Sequence, residues 1–440
     1  MGLVRRWGRR ALRRWFPVLF LVFVAILLRP VAWVVLDGRF YNFFHAKRAA
    51  PQWRTVVVVE IDRKTREEVF TRPVFPLSRH LREHAEVTRR LAEAGARAIV
   101  FDLELSQESF AEPPDSLAAT FRRAGNVYLP LSMRVSASQG GRILTVARQL
   151  DSTLVKASCG AYVVDISLDP DGTIRRFYPD PRLERLGLET MPERLAGVRV
   201  GVPVPILFPS ATRPIPRVSY ADVLHGEPAA LALVGGRIAI IGMSGEDAED
   251  FVSVPGLQDL GGGTHGYGLP GAAVLAAATE TLIQGAPLQD ASPGMGVVWL
   301  IFWCLGVVVV LPRRRPVIDG AIMIGWVLLA LATTGAFHVL GNTVFPAGLL
   351  VGALFMCGIY TLVDAYTDTL NDLHASELQS AAMHTEMVLA RENQEAFLPK
   401  SMPKLPGYDL WGVNASSGVV SGDYYDVIVR PEQNCVLLAI

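Results

Sequence analysis

Four apolar runs, each about long enough to cross a bilayer, govern what this chain can fold into. A membrane helix takes about 20 residues, because about 30 Å of hydrocarbon is crossed at about 1.5 Å per residue. The runs are 16–36, 294–311, 317–340 and 344–363. Only Arg29 and Pro30 interrupt the first, and Arg29 stands near its outer end, where the charged head can snorkel to the interface. A signal peptide is the competing reading of Phe16 to Leu28. Against it, no small-x-small cleavage site follows closely and Val31 to Leu36 extends the run.

Charge orients these spans. Arg5, Arg6, Arg9, Arg10, Arg13 and Arg14 precede the first, so residues 1–15 are expected to form a basic cytoplasmic tail. Residues 37–290 then face outward, and four crossings return the chain to the cytoplasm. The short connections agree: Arg313, Arg314 and Arg315 fall in a loop that should be inside, while Gly341-Asn342-Thr343, which should be outside, is uncharged. Half of the 440 residues are hydrophobic and 19% are charged, against about 25% in a soluble domain. This excludes a disordered chain and a simple cytosolic enzyme, and makes the lipid bilayer the first partner. Lysine plus arginine and aspartate plus glutamate both number 42, so there is no global drive toward nucleic acid. Four cysteines exclude a disulfide scaffold.

The outer segment reads as α/β with a largely parallel sheet. Thr55 to Ile61 is a β-branched run ending at Asp62. A helix from a Ser78 cap to Ala94, stopped by Gly95, leads to a second buried strand, Ala96 to Phe101, ending at Asp102. Strand, helix and strand in this spacing make a parallel βαβ unit. A helix from Asp115 to Arg123 and a strand from Val127 to Leu131 follow. Tyr162 to Ile166 and Ile174 to Phe177 are expected to form a hairpin around Asp169-Pro170-Asp171-Gly172. Late in the segment come a strand, Gly236 to Gly242, and a helix, Gly271 to Ile283. Asp62 and Asp102, at the carboxyl ends of neighbouring strands, are candidate ligand-binding residues, since open α/β sheets bind ligands there. The competing reading is that each caps a loop or pairs with an arginine. Asp250 is a further candidate for that acidic site. Gly261-Gly262-Gly263 matches neither a P-loop nor a dinucleotide fingerprint.

The Val56–Asp62 strand, Pro76-Leu-Ser-Arg79, and Leu91-x3-Gly95-Ala96-Arg-Ala-Ile-Val-Phe-Asp102 resemble a CHASE domain of the second type. Gly235-Gly-Arg-Ile-Ala-Ile-Ile-Gly242 and Leu269-Pro-Gly-Ala272 add to the resemblance. It implies a multi-pass receptor of the bacterial cytoplasmic membrane, with one span before an extracytoplasmic sensor and three after. Many members carry His-Ala shortly after the Pro-Gly of the last helix, whereas here Pro270-Gly271 leads into Ala272-Ala273-Val274-Leu275-Ala276, and no ligand is implied.

Beyond the sensor, Gly348-x3-Gly352 permits close helix packing, either within the bundle or in a homodimer. Residues 364–398 are expected to form a cytoplasmic signalling helix, free of proline and glycine up to Ala396. In residues 399–440, Gly422-Asp423 on a strand with Asp426 three residues on suits a hard divalent cation. The order Gln394-x3-Leu398-Pro399, Gly407, then Ser421-Gly-Asp-Tyr-Tyr-Asp426 resembles the start of a SpoIIE-class PPM serine/threonine phosphatase. The resemblance implies Mn²⁺ or Mg²⁺ as cofactor, Asp423 as a metal ligand, and a phosphorylated regulatory protein as substrate. Asp426 matches the motif without being assigned as a ligand. The next family motif would begin after Ile440, so the 440 residues are expected to be an inactive fragment. The expected fold is thus a multi-domain membrane protein: α/β sensor, four transmembrane helices, signalling helix, and the start of an α/β phosphatase domain. The alternatives are a nucleotide cyclase output, whose Phe-x-Asp motif is not matched here, and a non-catalytic scaffold.

Overall fold

The computed structural model describes residues 17, 19, 20, 22–24, 26, 31–49, 51–70, 79–103, 105, 113–138, 141–146, 150–210, 212–244, 251–255, 268–311, 316–414, 418, 420, 423–433 and 435–439. Two compact units divide it: Met1–Pro312 with Gly320–Cys357, and Arg313–Asp319 with Gly358–Ile440.

The first unit is built on a six-stranded sheet. Its strands are β1 (Val56–Ile61), β2 (Ala98–Phe101), β3 (Val127–Leu131), β4 (Ala161–Val163), β5 (Arg217–Ser219) and β6 (Ile238–Met243). Their order across the sheet is β4-β3-β2-β6-β1-β5, and every pairing is parallel. A parallel sheet must be covered on both faces, and its central strands accordingly read as continuous apolar runs. Alternation along β1 sends Val57, Val59 and Ile61 into one core and Val56 and Val58 into the other.

The first core lies under α3 (Leu81–Glu93) and α4 (Asp115–Ala124). In α3 the buried residues Leu81, His84, Val87, Thr88 and Leu91 repeat at helical spacing. Gly95 follows that helix at φ +78°, the left-handed conformation that ends it, as expected. The second core lies under α5 (Gly271–Ile283), which is buried from Ala272 to Leu282. Close approach of α5 to β6 depends on Gly242: a Cβ there would stand 2.4 Å from Ala272 Cβ. The start of β1 is fastened to α5 by Glu280, only 1% exposed. Its carboxylate accepts from the backbone N–H of Thr55 (3.0 Å) and Val56 (3.1 Å), and from Gln284 Nε2 (2.9 Å).

Three expectations change. The Asp169–Gly172 turn forms, with Gly172 N donating to Asp169 O at 2.9 Å. Its flanks do not pair with each other, however: β4 joins the main sheet and Arg176–Phe177 pairs with Val204–Pro205. The turn is therefore a corner between two sheets, not a hairpin. Second, β6 lies between β1 and β2, so the strands ending at Asp62 and Asp102 are not adjacent. Third, the described residues contain three helices long and apolar enough to cross a membrane, not four. They are α6 (Pro293–Val310), most of α7 (Pro316–Val339) and the start of α8 (Ala347–Phe397). Much of the expected 16–36 span lies outside the described residues. Its last part belongs to α1 (Val31–Ala46), which continues past Leu36 and carries Asp37, Arg39 and His45. Arg313 to Arg315, the Ser78 cap, Asp250 and Gly261 to Gly263 also lie outside the described residues.

In the second unit α8 runs to Phe397 without a break, and its residues from Tyr366 to Asn393 are exposed. Beyond it, β7 (Asp426–Arg430) pairs antiparallel with β8 (Cys435–Ala439) through a short 3₁₀ turn, Pro431–Gln433.

Because Glu280 satisfies buried backbone donors that have no water to turn to, Glu280→Ala is expected to destabilise the outer domain by about 2–4 kcal/mol. Glu280→Gln, which keeps one acceptor, should lose less. Thermal unfolding of the detergent-solubilised protein checks both, and an Ala variant melting with the wild type would remove Glu280 from this role.

Candidate functional site

Asp62 and Asp102 do share the carboxyl edge of the sheet, separated by β6. Asp62 is engaged locally as the N-cap of the short helix α2 (Arg63–Glu68). Its Oδ1 accepts from Thr65 N (2.9 Å), Thr65 Oγ1 (2.7 Å) and Ser219 Oγ (3.0 Å). Asp102 is half-buried, and its backbone N donates to Ile241 O at 2.8 Å, which fixes it beside β6. On β1, Glu60 lies 3.2 Å from Arg217 Nη1 of the neighbouring edge strand β5. Burial raises the Glu60 pKa, and the Arg217 charge opposes that rise. The edge is thus a set of residues bound to their own neighbours.

A concavity lies elsewhere in the same unit, where the outer domain meets the ends of the apolar helices. Its volume is about 630 Å³, within the range of small-molecule sites. One wall is polar. Arg175, with its side chain only 4% exposed, donates to Asp169 Oδ2 (2.9 Å), to both oxygens of Asp171 (2.8 and 2.7 Å) and to Asn42 Oδ1 (2.8 Å). The guanidinium holds the Asp171 carboxyl below the usual range. Tyr178 donates to Asp169 Oδ1 at 2.6 Å; burial first, then that bond, push its phenol up to about 12. Arg176 forks onto Asp290 with two 2.8 Å bonds and lies over the Tyr41 ring, 5.2 Å from its centroid. The lining also includes apolar side chains, among them Val34, Val35, Val297, Leu300, Phe345 and Leu349.

Aromatic rings close one end. Tyr41 meets His338 edge-on at 5.0 Å and stacks on His45 at 5.5 Å. Nearby, Asp37 of α1 caps the start of α8, its Oδ1 accepting from Gly348 N at 2.5 Å and Leu349 N at 3.4 Å. Gly348 and Gly352 are both buried within the unit. Sequence reasoning missed this place because it draws on residues from Val34 to Leu349. The available signal was Arg175-Arg176 beside Asp-Pro-Asp-Gly, an acid–base cluster with no motif to explain it.

In the second unit Asp423 has an exposed side chain, and its backbone carbonyl accepts from Asn414 Nδ2 (2.9 Å) and Gln394 Nε2 (3.1 Å). Gln394 belongs to the last turn of α8, so two parts of the C-terminal motif order meet at one carbonyl. Asp426 opens β7, and its Oδ1 accepts from Val427 N at 2.7 Å. Among the described residues no group of three His, Cys, Asp or Glu side chains could hold a metal ion. Asp423 and Asp426 do not by themselves offset the charge of two divalent cations.

Among protein families, the CHASE2 domain matches residues 18–310. No curated protein and no solved structure matches the chain.

As a helix cap, Asp62→Ala is expected to cost about 1 kcal/mol, whereas Asp62→Asn should cost only a few tenths. Paired thermal melts distinguish this from a ligand-binding role, in which Asn would be as damaging as Ala to ligand-induced stabilisation.

Proposed function

The chain belongs to the CHASE2 domain family, and from that premise we propose a transmembrane signalling receptor with a phosphatase output. In this reading its extracytoplasmic α/β sensor controls a metal-dependent SpoIIE-class serine/threonine phosphatase in the cytoplasm. The substrate is a phosphorylated regulatory protein. The observation that carries the output half is the Gln394–Asp423 hydrogen bond. It joins the helix continuous with the last apolar span to Asp423, the residue on which the resemblance places the metal; Asp423 itself precedes the strand that begins at Asp426 rather than lying on a strand as expected. β7 and β8 support the reading as well: Val427, Ile428, Val429, Val436, Leu437 and Leu438 make them apolar on both faces, as strands buried between layers are. Leu373, Met383, Met387 and Phe397, exposed along α8, support pairing with a second copy.

In a complete domain Mn²⁺ or Mg²⁺ would supply a bound water of lowered pKa as nucleophile. Asp423 would be one of several carboxylates holding the metal, and Asn414 and Gln394 would fix its backbone.

Two outcomes are expected. Reporter fusions after Gly201 should lie outside the cytoplasm, and fusions after Lys400 inside; a cytoplasmic Gly201 would reverse the receptor's orientation. In a chain extended beyond Ile440 through the phosphatase domain, Asp423→Asn should keep the fold and lower turnover of a phosphoserine peptide with Mn²⁺ by about 100-fold or more, at least the loss seen when metal-orienting partners are removed. Residues 1–440 alone should show no turnover. Full activity in the Asn variant would remove Asp423 from the metal site.

A further inference from the structure

Two histidines hold the joint where α1 and α7 end against the outer domain. His45, in the last turn of α1, and His338, in the last turn of α7, are 7% and 2% exposed. Their rings stand 6.0 Å apart at 85°. Tyr41 stacks on His45 and meets His338 edge-on, Phe44 lies 6.1 Å from His338, and Phe208 of the outer domain meets His45 at 6.0 Å. The Phe208 backbone N donates to His45 Nε2 at 3.4 Å, so this nitrogen is an acceptor and the ring proton sits on Nδ1. His45 Nδ1 and His338 Nε2 are sealed from solvent and have no hydrogen-bond partner.

The surroundings penalise a charge on either ring. Arg48, just past α1, donates Nη1 to the His338 backbone O at 2.9 Å and Nη2 to Asn342 Oδ1. The other charges acting on His338 are Arg176 and Asp290, which are paired with each other. Among the described residues no carboxylate pairs with either imidazole. A proton added to His45 Nε2 would face the Phe208 N–H, donor against donor, and would set a cation beside Arg48 and the second imidazole. Burial first, then His338 and Arg48, push His45 from 6.5 down to about 3. The closed joint therefore binds fewer protons than an open one. Its stability is complete above pH 6.5 and is lost as pH falls from there toward about 3.

We infer that His45 and His338 form an acid-released clasp between the outer domain and the ends of α1 and α7. Uncharged, the two rings pack as aromatics against Tyr41, Phe44 and Phe208. In acid, either ring takes a proton only by leaving the other ring and Arg48, and His45 must also give up Phe208, so the joint opens. Protonation thereby biases an element that connects the outer domain to two helices at once. The inference goes beyond the receptor reading and needs no phosphatase activity; the topology decides only which compartment's pH is read.

The test melts the 440-residue protein in phosphatidylcholine nanodiscs between about pH 7.5 and about pH 4.5, a range that brackets the ordinary histidine value. Wild type should lose stability with falling pH more steeply than His45→Phe or His338→Phe, by up to about tenfold in the unfolding constant per pH unit for each imidazole removed. His45→Gln keeps an acceptor for the Phe208 N–H without titrating in this range. It should follow His45→Phe, and it keeps the test decisive where phenylalanine does not fold. Hydrogen exchange by mass spectrometry, corrected for its intrinsic pH dependence, separates clasp release from general unfolding. Residues 204–210 should lose protection in acid in the wild type and keep it in the double variant His45→Phe with His338→Phe, while α3, packed on the other face of the sheet, stays protected in both. Parallel pH profiles in wild type and variants, or protection lost at α3 together with 204–210, would overturn the inference. A failed phosphatase assay leaves it standing, and reversed fusions change only the compartment sensed.

Discussion

A buried carboxylate, Glu280, fastens the first strand of the outer domain to the helix that precedes the apolar helices. Glu280 sits in α5, an otherwise apolar helix, and its oxygens are taken up by backbone donors at the start of β1. An isolated charge in such a place would be costly, and here the carboxylate is met by hydrogen-bond donors from two segments. Apolar packing on the α5 side of the sheet adds to that tie. Gly242 lets the helix lie against β6, Met191 and Phe177 fill in beside it, and the chain leaves α5 only ten residues before α6 begins.

Much of this was legible from local chemistry. The β-branched run at 56–61, the Gly95 stop and the Gly271–Ile283 helix each announce themselves within a few residues. Strand order did not. β1, β2 and β6 are apolar throughout apart from Glu60, so little in their composition says which lies next to which, and the sheet places the last of them between the other two. Asp62 was found in place at the carboxyl edge, but with its oxygen engaged by Thr65 and Ser219. Its role as a cap could be read from the strand–helix boundary; the Ser219 contact, from 157 residues away, could not. The membrane-side cavity was invisible for the same reason, since Tyr41, Arg175, Asp290 and His338 come together only once the domain and the helices have formed.

The C-terminal residues show the opposite balance. Their motif order carried the phosphatase resemblance, while the geometry adds one specific link, Gln394 to the carbonyl of Asp423. That link gives a physical reason for a glutamine in the last turn of α8 to stand beside the backbone of Asp423.

The central place of β6 has a consequence for how the protein is made. Strands β1 and β2 leave the ribosome more than a hundred residues before β6, and neither touches the other in the finished sheet. If the outer domain is exported as it is synthesised, Val56–Ile61 and Ala98–Phe101 must wait on the far side of the membrane as bare sheet edges until Ile238–Met243 arrives. Such edges recruit other strands, and late long-range pairing slows folding. A nascent domain of this topology therefore exposes one open edge on each of these two apolar strands until β6 pairs with both.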